Sequence, residues 1–129
     1  MKVIFSIIIF ALLAACGGDH ARTPPQQWKD LTFMVETRPP ELRPGMIEFL
    51  VLANRGSRKR AHDLLVSIRI GRSGRWVQSI QDGNTGVYRR ALKVTDPETD
   101  ILSVHIKHKD EEKLFEFPLS TLLPEKPAP

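Results

Sequence analysis

Between Leu31 and Leu119 apolar residues recur with a period of two, not at the 3.6-residue spacing of a helix. That alternation is the mark of strands with one buried face. Leu31, Phe33 and Val35 alternate with Thr32 and Met34, and Pro39, Pro40, Pro44 and Gly45 break the chain before Ile47, Phe49 and Val51 resume the pattern. Leu64, Val66, Ile68 and Ile70 place Leu65, Ser67 and Arg69 on the opposite face. A turn at residues 71–74 leads into a short strand at 76–80, and Asp82-Gly83-Asn84 turns into the next run, Val87 to Val94. Asp96-Pro97 ends that run, Leu102, Val104 and Ile106 follow, and Lys109-Asp110-Glu111 turns into Phe115, Phe117 and Leu119. About seven strands with a turn signal every eight to twelve residues predict an all-β domain, an antiparallel immunoglobulin-like β-sandwich over residues 31–120. Arg90 interrupts the pattern, because it falls on the inward parity of Tyr88, Leu92 and Val94. Either a bulge shifts the register there or the side chain snorkels out from the core edge.

The N-terminal region follows a different pattern. Met1-Lys2 is a short positive segment, residues 3–13 (VIFSIIIFALL) are apolar except for Ser6, and Ala14 and Ala15 follow. Spanning a bilayer core takes about 20 apolar residues; this run is shorter and suits the hydrophobic region of a signal peptide. Cys16, the only cysteine of the 129-residue chain, comes next and completes the sequence Leu-Ala-Ala-Cys. A single cysteine excludes an intramolecular disulfide framework and a multi-cysteine zinc site.

Residues 13–16 resemble the lipobox of bacterial lipoproteins, in which the cysteine becomes the lipidated first residue of the mature chain. The resemblance implies a cleaved signal segment over residues 1–15, helical before cleavage, and a membrane anchor at Cys16. One acyl chain binds a membrane only marginally, so stable anchoring needs two or more. The family's modification supplies a diacylglycerol thioether, joined in many species by an N-acyl chain. Gly17, not Asp, directly follows the cysteine, which resembles lipoproteins sent to the outer membrane and facing the periplasm more than those held at the inner membrane. Residues 17–30 are polar and contain Pro24-Pro25, and read as a flexible tether. Extended at about 3.1 Å per residue, it would hold the domain up to about 40 Å from the bilayer. The proline-rich end, residues 121–129, reads as a disordered tail.

Net charge is +4, from 19 basic and 15 acidic side chains, and what matters is its placement. Arg55, Arg58, Lys59 and Arg60 put four cations in one loop between two strand patterns, with Arg72 and Arg75 at a turn and Arg89 and Arg90 as a further pair. One reading is an anion-binding surface for phospholipid headgroups, lipopolysaccharide phosphate or an acidic partner. The other is a solvated loop that blunts sheet-edge pairing. The aromatic and basic interleaving of nucleic-acid-binding sheets is missing, which excludes nucleic acid as the expected partner.

No reaction is indicated. There is no GxSxG, phosphate loop or HExxH, and a lipidated Cys16 is no nucleophile. Asp96, Glu98 and Asp100 cluster at a turn without the spacing of a calcium loop. His105 and His108 are three apart on one strand and so point to opposite faces, while His20 and His62 lie elsewhere. Met34 and Met46 are soft donors without a cluster. No metal site and no cofactor is therefore expected. Trp28 reads as a plug at the sandwich end and Trp76 as core or edge packing.

Across residues 31–119, Arg43-Pro44-Gly45, Ala61-His62-Asp63-Leu64 and Gly86-Val87-Tyr88-Arg89 resemble the small periplasmic sandwiches of the FixH and YtkA-like type. Some members occur beside copper-handling and oxidase-assembly proteins, so the resemblance implies such an accessory role as the alternative function. The leading expectation is a lipid-anchored, non-catalytic binding module for a protein or an envelope component.

Overall fold

A computed structural model of the protein describes residues 21–57 and 59–124. The chain forms two antiparallel sheets packed face to face. The first runs β1 (Gln26–Trp28), β2 (Leu31–Arg38), β3 (Gly45–Arg55), β8 (Val87–Val94) and β7 (Ile80–Gln81), with β4 (Lys59–Arg60) paired to the far end of β3. The second runs β10 (Glu111–Pro118), β9 (Ile101–His108), β5 (Leu65–Ile70) and β6 (Val77–Gln78). With β2, β3 and β8 in one layer and β10, β9 and β5 in the other, the order is that of immunoglobulin-like sandwiches.

The alternation read from the sequence is the alternation of the core. Phe33, Val35, Ile47, Phe49, Val51 and Tyr88 face inward from the first sheet, and Val66, Ile68, Leu102, Val104, Ile106 and Phe117 from the second, each at most 1% exposed. Phe33 meets Phe115 with ring centroids 5.1 Å apart, and Phe115 meets Phe117 at 6.2 Å. Leu65 stays 44% exposed on the outer face, as its parity requires.

Two boundaries differ from expectation. The tether is shorter than its composition suggests, because Gln26–Trp28 form β1 against β2 and Thr23 is buried, with its amide donating to Val35 O at 3.1 Å. Three polar-flanked residues carry no readable period, and their partner strand lies across a turn that only the fold reveals. The rest of the expected tether, residues 17–20, lies outside the described residues, as do the signal segment and Cys16. At the other end a 3-10 turn, Leu119–Leu122, buries Leu119 and Leu122 against the core, so the domain runs past residue 120. Residues 125–129 of the expected tail are outside the described residues.

The strand expected at 76–80 is two strands. Ser79 is buried, its amide donates to Val66 O at 2.8 Å, and the chain crosses there from the second sheet to the first. Trp76 is not in the core. It rests on the outer face of the second sheet, over the Arg69 guanidinium at 4.1 Å and beside His105 at 5.8 Å. Trp28 does pack against the core edge.

The Arg90 question resolves without a bulge. The β3–β8 ladder is continuous, with Phe49 opposite Arg90 and Val51 opposite Tyr88. Arg90 keeps its inward parity but is exposed. β7 covers β8 only at Tyr88 and Arg89, so residues 90–94 are an open edge among the described residues. An inward-pointing cation on an open edge blocks the approach of another strand.

The two ends of the sandwich differ. One end, here the basic pole, gathers the β1–β2 turn, the end of β3, the β7–β8 turn and the β9–β10 hairpin. The other gathers the 38–44 segment, the turn after β8, the 3-10 turn and Gly71, whose amide donates to Ile101 O at 2.7 Å.

Candidate functional site

At the basic pole β3 continues its alternation one step beyond the apolar core. Ile47, Phe49, Val51 and Ala53 point inward, and Arg55 is next on that parity. On the opposing sheet Leu102, Val104 and Ile106 are followed on their parity by His108. These two end residues meet at a third. Asp63, in the connection between β4 and β5, accepts from Arg55 Nη2 at 3.1 Å and from His108 Nε2 at 2.9 Å, while Arg55 Nε lies 3.3 Å from Asp30. The result is a polar clasp that ties the two sheets together across the mouth of the sandwich. Partial burial raises the Asp63 pKa, but hydrogen bonds from Arg55, from His108 and from its own backbone outweigh it and hold the carboxyl below its ordinary value.

The connection itself is pinned from beneath by Tyr88. Its hydroxyl donates to Ala61 O at 3.0 Å and accepts from the Leu64 amide at 3.2 Å. Burial pushes the phenol pKa up, so the hydroxyl stays neutral and serves as donor and acceptor at once. The Gln81 side-chain amide adds a bond to His62 O. Gly86 lets β8 begin close under β4: a Cβ on it would lie 2.6 Å from Ala53 O and 3.1 Å from the Arg60 Cβ, and its φ is +74°.

On this frame the basic residues take different roles. Arg55 does not reach out to solvent; its guanidinium is spent on Asp30 and Asp63, and its side chain is 29% exposed. Lys59 and Arg60 form β4, are exposed, and pair with no carboxylate among the described residues. Arg58 lies outside the described residues. Gly56, with φ +64°, makes the turn before them. Two shallow concavities flank this turn. One, of about 340 Å³, is lined by Thr32, Asn54, Gly56, Ser57 and Arg60. The other, of about 370 Å³, is lined by Asp30, Arg55, Gly56, Ser57 and Lys59. Hydroxyl, amide and guanidinium donors in the first of these suit an anionic oxygen group.

The other candidates are dispersed. His105 faces outward 3.4 Å from Glu112, and His108 faces the clasp, so the two do point to opposite faces. Among the described residues no three His, Cys, Asp or Glu side chains gather as a metal site. Met46 is 64% exposed, and Met34 sits half-buried on β2. Asp100 accepts from the Thr95 and Asp96 amides at 2.9 and 3.0 Å, and Asp96 accepts from the Glu98 amide at 3.0 Å, so this acidic cluster shapes its turn. Arg72 pairs with Glu116 at 2.8 and 3.0 Å, which raises the Arg72 pKa and lowers that of Glu116.

Asp63, His108, Asp30 and Tyr88 were not legible as site residues. The signal that could have found part of the clasp is a charged residue extending an inward apolar alternation, as Arg55 and His108 both do. Comparison with family models, curated proteins and solved structures yields no match to this chain.

Proposed function

We propose that the protein is a lipid-anchored lipoprotein of the bacterial envelope, held through Cys16 with its sandwich in the periplasm, and that it is a non-catalytic module binding an anionic partner through the loop of residues 55–60. The Leu-Ala-Ala-Cys sequence supports the anchor, and Gly17 supports the outer membrane over the inner. The observation that carries the binding role is the contrast within the basic cluster. Arg55 is committed to the clasp, while Lys59 and Arg60 stand exposed beside a donor-lined concavity with no carboxylate of their own. A frame fastened by the clasp and Tyr88 presents these cations at little cost in ordering on binding.

A photo-crosslinking residue at Ser57 in intact cells tests this. A discrete crosslinked product is expected from the otherwise native chain, and its loss on the double change Lys59→Glu with Arg60→Glu. The same product at the same yield from both would contradict the reading.

A further inference from the structure

We propose that Lys59 and Arg60 work away from their own bilayer: in the anchored protein they face outward and dock on an acidic patch of a protein partner. This deepens the proposed function and rests on its anchor at Cys16. The direction in which the chain leaves the sandwich carries the inference. β1 folds the N-terminal segment back along β2, so that the Thr23 amide donates to Val35 O and Arg22 pairs with Glu36. The chain therefore exits toward Arg38 and the Gly45 end of β3. A chain entering directly at Leu31, opposite Arg55, would have put anchor and loop at the same pole.

The distances separate this exit from the loop. Ala21 lies beyond Thr23 along this course, near the level of Thr37 and its partner Phe49. From Phe49 to Arg55 the strand climbs about 20 Å, and from Cys16 to Ala21 the chain reaches at most about 18 Å. The field of anionic headgroups decays within about 8–10 Å in physiological salt. With the sandwich upright on its anchor, cations at the far pole lie beyond that range.

The charge pattern selects the kind of partner. Arg55 and His108 engage Asp30 and Asp63, which leaves exposed Asp82 and Asp110 among Lys59, Arg60 and Lys109 at this pole. A uniform sheet of phosphates would be repelled by those carboxylates, whereas a protein surface of mixed charge with an acidic patch matches them. The β3–β5 connection, the β7–β8 turn and the β9–β10 hairpin converge there, a loop cluster on a rigid scaffold.

The native tryptophans report on this arrangement. Trp28 lies in the cross-strand row that continues through Leu31 and Arg55 to Lys59. The lipidated mature chain with Trp76→Phe, which leaves the core intact, is reconstituted into phosphatidylcholine vesicles with nitroxide-labelled headgroups, with and without phosphatidylglycerol. Trp28 is expected to stay unquenched on both. In the chain without substitution, acetylation of Lys59 read by mass spectrometry is expected at equal rates on both vesicles. A glutamate-rich peptide is expected to bind the anchored protein equally on both, and Lys59→Glu with Arg60→Glu is expected to weaken it about tenfold. Quenching of Trp28, protection of Lys59 or loss of peptide binding when phosphatidylglycerol is present would overturn the orientation. Equal peptide affinity of the charge-reversed chain would overturn the docking role. Failure of the chain to float with vesicles would instead remove the anchor, and the inference with it.

Discussion

Arg55 Nη2 and Asp63 Oδ1 face each other at 3.1 Å across the mouth of the sandwich, and His108 approaches the same carboxylate from the other sheet at 2.9 Å. One carboxylate therefore holds both sheets at the pole that carries the basic loop. Because the folded Asp63 pKa is lowered, the unfolded chain takes up this proton first as the pH falls. The carboxylate's contribution is fully present above the unfolded value of about 3.9 and is lost as pH falls through the lower folded value. Asp63 is 44% exposed at its side chain, so solvent screening keeps the pair in the range of about 0.5–1 kcal/mol. Urea unfolding of the native chain and of Asp63→Asn should differ by that amount near pH 6 and converge near pH 2. An equal difference at both pH values would contradict an ionic clasp.

Tyr88→Phe removes the hydroxyl between Ala61 and Leu64 and leaves a buried amide and carbonyl without a partner. A loss of about 1–3 kcal/mol is expected in chemical denaturation, with an unchanged slope against denaturant. A loss below the error of the measurement would mean that water replaces the hydroxyl and that the tyrosine does not fasten the connection.

Gly86→Ala should be costly for two reasons that act together. Its φ of +74° disfavours a side chain, and the added Cβ would meet Ala53 O at 2.6 Å and the Arg60 Cβ at 3.1 Å. About 1–3 kcal/mol of destabilisation is expected, with amide exchange at Arg60 accelerated more than exchange in β9. Uniform acceleration across both sheets would show that the strain is not local to β4.

Much of the sandwich was readable because its strands obey one rule over long stretches. Val66 and Ile68, and likewise Leu102, Val104 and Ile106, repeat with period two, and each is buried as that period requires. The elements that escaped are short or polar. Gln26–Trp28 and Lys59–Arg60 owe their strand geometry to neighbours in β2 and β3, not to any pattern of their own. The site was half legible for the same reason. A cluster of cations shows in the sequence, but which cation is free depends on where Asp30 and Asp63 arrive, and those positions are set by tertiary folding. Arg55 was grouped with Lys59 and Arg60 because adjacency in sequence does not reveal that it points inward.

Arg90 supplies a prediction of a different kind. It holds an inward-parity position on the open edge of β8 yet is exposed, where its charge opposes strand pairing at no benefit to the core. Arg90→Val should leave the monomer as stable or more so, yet promote concentration-dependent association through the edge, seen by size-exclusion chromatography with light scattering. A strictly monomeric variant at all concentrations would show that the edge is protected by something other than this cation.

The proposed membrane-held binding role depends on a lipid at Cys16, and the intact mass of the protein extracted from bacterial membranes tests that proposal most directly. The predicted species starts at Cys16, has lost residues 1–15, and carries the added mass of a diacylglycerol thioether with or without a further acyl chain; Cys16→Ala abolishes it. A chain that begins elsewhere, or that carries a free thiol at Cys16, would contradict the anchor and the function built on it.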